Sequence, residues 1–217
     1  MELAHTRHGD PDTRTPGKLV GHRRYDLVGA LFFGGRRRRV FTQLAAASGA
    51  RAGDRVLDVG CGTGYFTRVM AKAVAPGGTV QGIDPSGQAI AQAKSLTRLA
   101  KCTFSAGVAE ALDAADGSYD VVVTSLTIHH LPETLRPQAI AEMFRVLRPG
   151  GSVLIADSRP PATQIGRRLM RRHSPAMADN PVDSIEPMVR DAGFEQLRSG
   201  DLRPWMHYVQ ARKPPRR

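Results

Sequence analysis

The stretch VLDVGCGTGYFT, residues 56–67, decides the fold of this 217-residue chain. Residues 55–59 are a short apolar run that reads as a buried strand. Gly60, Gly62 and Gly64 then make a tight loop, and residues 65–74 continue as a helix. Glycines let the backbone turn sharply and let a ligand lie against it where a side chain would clash. In an open α/β sheet such a loop sits at the carboxyl end of a strand, where nucleotides bind.

The chemistry of the loop narrows the ligand. The dinucleotide fingerprint GxGxxG would place its third glycine at position 65, where this chain has Tyr65. Asp58, inside the strand, repels phosphate but suits a cationic ligand carrying an ammonium and a sulfonium, such as S-adenosylmethionine (SAM). A second acid, Asp84, ends the next strand in GIDPSG, 20 residues after Gly64. A carboxylate there can accept hydrogen bonds from both hydroxyls of a ribose. It could instead cap the following helix, but Ser86 is equally suited to capping, which leaves Asp84 for the ribose.

Outward from the loop, strands and helices alternate. Residues 79–83, 102–106, 119–125 and 152–156 read as strands, with helices over 86–99 and 138–147 and a stop at Pro149, Gly150 and Gly151. Residues 119–125, YDVVVTS, are apolar enough to be buried on both faces. A helix over 186–192, stopped by Gly193, and two closing strands over 194–199 and 205–212 complete the chain. The pattern predicts a doubly wound, Rossmann-like α/β domain with a mostly parallel seven-stranded sheet and an antiparallel last strand.

The flanks differ in character. Residues 1–17 lack periodicity and read as a flexible arm, leaving 18–217 as a single domain. Within it, 18–50 is helical, with Tyr25, Val28, Leu31 and Phe32 on one face and Gly34 and Gly35 as a break, and forms a cap. Residues 157–183 interrupt the rhythm as a Pro- and Arg-rich lid or substrate segment, with a short basic helix around 163–172.

The formal net charge is +11, with arginine clustered at 36–39 and 167–172. Such a balance favours nucleic acid, an anionic membrane or an acidic substrate, and equally describes a solvated basic surface. No apolar run approaches the roughly 20 residues of a membrane span, and the polar start carries no secretory signal, so a cytoplasmic location is expected. Two cysteines, Cys61 and Cys102, make neither a disulfide framework nor a metal site, and no metal is expected.

The matching stretches VLDVGCGTG, GIDPS, GVAEALD, YDVVVTSLTIHHLP, FRVLRPGGSVLIAD and VRDAGFEQL resemble the class I SAM-dependent methyltransferases of the type-11 and ubiquinone/menaquinone biosynthesis group. The upstream YDLVGALFFGGRRRR is similar to the start of the quinone-type members. The resemblance implies that Asp58, Gly60, Cys61 and Gly62 surround the methionine part of SAM. Asp84 would hold the ribose, Pro85 or Ser86 would lie against the adenine, and Val108, Ala109 and Glu110 would border its edge. The family usually has Asp where this chain has Val108, so either Glu110, water or a backbone carbonyl takes the adenine amino group, or SAM is held less tightly. Ser125, after the fourth strand, would face the methyl group and the acceptor.

Beyond Ser125 the chain reads LTIHHLP, and the Asn/Asp-Pro-Pro-Tyr/Phe signature of methylation at nucleobase or amide nitrogen is absent. His129, His130 and Tyr25 are the candidates for removing an acceptor proton, with Tyr25 also placed to close over SAM; each has an alternative as an ordinary packing or surface residue. The expected activity is methyl transfer from SAM, leaving S-adenosylhomocysteine, to carbon or oxygen of a small, fairly apolar acceptor. The partners expected are that acceptor and, through the basic surface, a membrane or RNA. An RNA methyltransferase and a SAM-binding protein that does not methylate are the alternatives.

Overall fold

The computed structural model describes Phe33 and residues 35–216. The arm over 1–17, the helical face of Tyr25, Val28, Leu31 and Phe32, and Gly34 lie outside the described residues.

Seven strands form one sheet in the order β3-β2-β1-β4-β5-β7-β6. They are β1 (Arg55–Val59), β2 (Thr79–Asp84), β3 (Cys102–Ala106), β4 (Tyr119–Ser125), β5 (Leu147–Ser158), β6 (Glu195–Leu202) and β7 (Met206–Arg212). β1 to β5 pair in parallel, and β7 runs antiparallel between β5 and β6. The mixed sheet expected from the alternating pattern is present. Both faces are covered. On one, Leu57, Val59, Val122, Val153 and Ile155 pack against α4 (Arg136–Val146) and α7 (Ile185–Asp191). On the other, Val56, Val121, Val123 and Leu154 meet α1 (Arg37–Ala47) and α2 (Tyr65–Ala73). α3 (Gly87–Leu96) covers the β2–β3 edge through Ile90 and Ala93 on Phe104.

Phe41 ties α1 to the glycine-loop helix: its ring lies 5.2 Å from both Tyr65 and Phe66, edge to face. The Arg37 guanidinium sits 3.8 Å above the Tyr65 ring. α1 thus supplies a basic, aromatic wall beside the start of α2.

Several boundaries differ from the pattern reading. α3 stops at Leu96, three residues short, because Leu96 and Leu99 are exposed and no apolar contact holds another turn. α4 starts at Arg136, since Pro137 fits the first turn of a helix, and it ends at Val146. Pro149, Gly150 and Gly151 lie inside β5 and not after a helix. Leu147 pairs with Tyr119 and Ser152 with Val121, so the residues between them form a bulge against β4. Lys213 Nζ donates to the carbonyls of Phe144 and Leu147, 2.7 Å each, and closes the helix in place of a glycine cap.

The segment over 157–183 holds α5 (Gln164–His173) and α6 (Pro175–Ala178), followed by a 3-10 turn over Val182–Ser184. α6 packs near the Ile128–His130 turn that follows β4.

Candidate active site

The glycine loop sits where the C-terminal ends of β1 and β2 meet. Its amides are spent internally. Gly60 and Cys61 both donate to the Ile83 carbonyl at 2.8 Å, Gly64 donates to the Cys61 carbonyl, and Gly62 donates to Asp84 Oδ2 at 2.9 Å. A loop that binds pyrophosphate needs amides pointing at the anion; these four point into the protein. Gly60 has φ of +72°, and a Cβ there would lie 2.3 Å from the Thr127 side chain. Thr127 Oγ1, in turn, lies within 3.5 Å of the Val59, Gly60 and Ser125 carbonyls, which locks the exit of β4 onto the loop. Gly62, by contrast, has nothing within 4 Å of its Cβ position, so the loop is open on that side.

Two carboxylates frame this opening. Asp58 is buried; Oδ2 accepts from Thr67 Oγ1 at 2.6 Å, and Oδ1 has no hydrogen-bond partner. Burial, reinforced by the nearby Asp84 charge and opposed by the Thr67 hydrogen bond, pushes the Asp58 carboxyl up to about 7. Asp84 accepts from the Ser86 and Gly62 amides at 2.9 Å, one on each oxygen, and burial outweighs these bonds and raises it. Ser86 Oγ caps α3 by accepting from the Ala89 amide, so Asp84 does not cap that helix through its first turn. Cys61 packs against Gly82 and Phe104, and its thiol is held protonated by burial and by the two acids.

The third-strand residues form a tight turn in which the Ala111 amide donates to the Val108 carbonyl at 3.4 Å. Ala109 and Glu110 are buried, and the Glu110 carbonyl accepts from Gln138 Nε2 of α4. Arg145 fastens the segment beyond, donating to the Leu112 and Ala114 carbonyls and to Glu142 and Asp116.

At the exit of β4, Ser125 pairs with Ala156 of β5. Leu126 follows with φ of +56°, a conformation that costs a branched residue of order 1–3 kcal/mol. The two histidines then part company. His129 is buried and its Nδ1 lies 2.6 Å from Asp157 Oδ1, at the end of β5. Asp157 also accepts from the His129 and Ser158 amides, so it acts as an acceptor and the imidazole donates from Nδ1. His130 is exposed, its ring centroid 4.0 Å from that of His129. Desolvation against the chain and then the His129 ring hold His130 down at about 4; its open edge softens that effect without reversing it. His130 is therefore neutral at pH 7.

Asp58, the glycines, Cys61, Asp84, Pro85, Ser86 and Ser125 stand together along the carboxyl edge of β1, β2 and β4, with Val108, Ala109 and Glu110 after β3. Tyr25 lies outside the described residues. Sequence reasoning missed Thr67, Leu126, Thr127 and Asp157. Only Asp157 carried a signal, an acid ending a strand like Asp84 does. Among the described residues no cluster of three or more His, Cys, Asp or Glu is placed to hold a metal.

The residues fit SAM. Asp58 offers a buried carboxylate oxygen lacking a donor, Asp84 a raised carboxylate, and Gly62 an unobstructed approach. The two carboxylates favour a ligand that brings positive charge and hydroxyl donors over one that brings phosphate.

Comparison with known proteins agrees. Residues 56–151 match a family described as a methyltransferase domain. A ubiquinone/menaquinone biosynthesis C-methyltransferase of Stutzerimonas stutzeri is 34% identical over 146 residues, covering 65% of this chain and 56% of that one. A demethylmenaquinone methyltransferase of Staphylococcus aureus is 35% identical over 122 residues, covering 56% of this chain and 50% of its own. The chain thus spans about half the length of these curated relatives. A SAM-dependent methyltransferase from Aquifex aeolicus superposes with a TM-score of 0.68 at 20% identity, covering 86% of this chain and 97% of that one. A cyclase of the 4+2 type superposes at 0.69 with 21% identity, covering 83% and 82%. Residues 56–151 thus resemble a methyltransferase domain, the fold is shared with a SAM-dependent methyltransferase, and SAM is the cofactor that such a domain takes.

Proposed function

We propose that the protein transfers the methyl group of SAM to a carbon or oxygen of a small, fairly apolar acceptor of quinol, phenol, lipid or natural-product type, in the cytoplasm. The observation that carries the SAM half is the buried, partnerless Oδ1 of Asp58 beside a loop whose amides are already used. The acceptor half is supported by the two quinone-type relatives and by the absence of the signature for nitrogen methylation.

Bound SAM supplies a methyl group on a positively charged sulfur, already activated for displacement. The chain's own residues then have to position and exclude water, which in the best cases contributes on the order of 7–11 kcal/mol. Asp58 and Asp84 hold the cofactor's charged and hydroxyl ends, and Gly62 leaves room for it. Leu126, half-buried, gives the β4 exit apolar surface, while Ile128 is buried in the core. If the acceptor must lose a proton, His129 is the group held for it: the bond to Asp157 fixes Nδ1 as donor and leaves Nε2 as the acceptor.

Purified protein titrated with SAM by calorimetry, followed by an assay for S-adenosylhomocysteine on quinols, phenols and lipids, tests the reading. Micromolar binding with turnover on one of these classes is expected. Tight SAM binding with no turnover on any extract would favour the non-methylating reading, which the shared fold with a cyclase admits. Turnover on RNA with a steep loss of binding between two salt concentrations would favour the RNA reading suggested by the +11 charge.

A further inference from the structure

α5 is a regular helix, capped by Thr163 Oγ1 accepting from the Gly166 amide. At 100° per residue its side chains separate cleanly. Ile165, Leu169 and Met170 share one side, and Arg167, Arg168, Arg171 and Arg172 share the other. An apolar stripe of this kind ordinarily faces a core. Here Ile165 is 83% exposed and Leu169 63%. The helix carries no acidic residue. Arg171 pairs with Asp179 and Arg167 donates to the Pro161 carbonyl, while Arg168 and Arg172 make no ion pair among the described residues.

A second exposed apolar residue group stands at the same end of the sheet. Trp205, the chain's one tryptophan, is 37% exposed in the β6–β7 turn, and its carbonyl accepts from the Arg159 amide at 2.7 Å. Two residues on from Arg159, Pro161 packs beneath Gly166 of α5. Ser158 at the end of β5 pairs with Met206 at the start of β7, which places this turn at the carboxyl edge of the parallel strands, on the side of the glycine loop. The other two exposed large apolar residues among the described residues, Leu96 and Leu99, lie at the opposite edge, at the end of α3 and just before β3.

We propose that α5 and the Trp205 turn dock this end of the molecule on an anionic phospholipid surface, with Ile165, Leu169 and Trp205 entering the headgroup boundary and the arginines meeting lipid phosphate. Charge complementarity selects the occupant: a helix without an acid, whose Arg168 and Arg172 make no ion pair among the described residues, calls for a dense negative surface. The exposed aliphatic pair selects lipid over RNA, because RNA recognition uses cations and stacking rings and gains nothing from Ile165 and Leu169. A second copy of the chain would bring two arginine faces together. Tryptophan is at home in the interfacial zone. Among the described residues no helix is long and apolar enough to cross a membrane, so attachment would be peripheral. An apolar acceptor dissolved in the bilayer would then meet the active-site edge directly.

The test needs neither cofactor nor acceptor, so its outcome is separate from that of methyl transfer. The full chain is mixed with vesicles of phosphatidylcholine alone or with about one third phosphatidylglycerol, and binding is followed by cosedimentation and by the emission of Trp205. Expected are a blue shift and binding at least about tenfold tighter to the anionic vesicles, weakened by salt. The pair Ile165→Ser with Leu169→Ser, and separately Arg168→Gln with Arg172→Gln, should each lower binding about tenfold or more while leaving the thermal melt unchanged. Absence of vesicle binding at low salt overturns the proposal. So does binding that the serine pair leaves intact, which would mean that the stripe is covered by another part of the chain. Loss of RNA binding in the glutamine pair, with no vesicle binding in the parent, assigns the surface to nucleic acid instead.

Discussion

Asp58→Asn tests whether the site stores an electrostatic cost that the cofactor relieves. Burial raises the Asp58 carboxyl from 3.8 to about 7, so the folded state prefers the proton and the unfolded chain does not. Between those two values the folded state binds more protons than the unfolded one, and stability therefore falls as pH rises through that window. Fully ionised, the penalty is about 4 kcal/mol, taking about 1.4 kcal/mol per tenfold. From about pH 5.5 to about pH 8.5 the part still to be incurred is about 2 kcal/mol. Asparagine fills the same space, can still accept from Thr67, and does not titrate. Groups remote from Asp58 titrate alike in both proteins and cancel, and an Asp84→Asn background removes the contribution of its charged neighbour. Urea unfolding at the two pH values should show the variant gaining about 2 kcal/mol on the parent at the higher pH. Saturating SAM should shrink that gap, because a cation beside Asp58 lowers its carboxyl. A gap that stays constant within about 0.5 kcal/mol across this range would refute the idea that Asp58 is held as a strained acid, and with it the charge argument for SAM.

Three further outcomes follow from the geometry. Asp84→Ala should weaken SAM binding by about 1.5–3 kcal/mol in calorimetry; unchanged affinity would mean that Asp84 serves only to pin the Gly62 and Ser86 amides. Gly60→Ala forces a residue with φ of +72° to carry a Cβ into Thr127, and should cost about 2–4 kcal/mol in thermal unfolding, with Thr127→Gly restoring part of it. Asp157→Asn and His129→Asn should each lower kcat about a hundredfold or more if His129 takes the acceptor's proton. A loss of stability with kcat intact would show the pair to be purely structural.

The parts of this protein that could be read directly from residues are those whose physics is local. VLDVGCGTG encodes its own strand, turn and helix start, and Asp84 sits one strand on, so both acids fell where a neighbour-by-neighbour reading put them. The end of α4 did not follow, because Pro149, Gly150 and Gly151 give a turn signal that the ladders to β4 and β7 absorb as a bulge. Asp157 could not be assigned a partner in advance, since His129 is 28 residues away and meets it only when β4 and β5 pair. Leu126 carries no local sign of a positive φ; the amide bond to Ala156 and the lock of Thr127 on the loop impose it.

The contrast with a dinucleotide site lies less in the missing third glycine than in where the loop's hydrogen bonds go. The same strand–loop–helix could present its amides to a phosphate. Here Ile83 takes two of them and Asp84 takes a third. What is left facing the opening is carboxylate oxygen, one of it buried and without a donor. Asp84 therefore has two effects from one placement: it removes an anion-binding amide and adds an acceptor. A single Asp84→Ala change should act on both, freeing the Gly62 amide while deleting the carboxylate, and so should shift the site's preference from cation toward anion rather than merely weaken it.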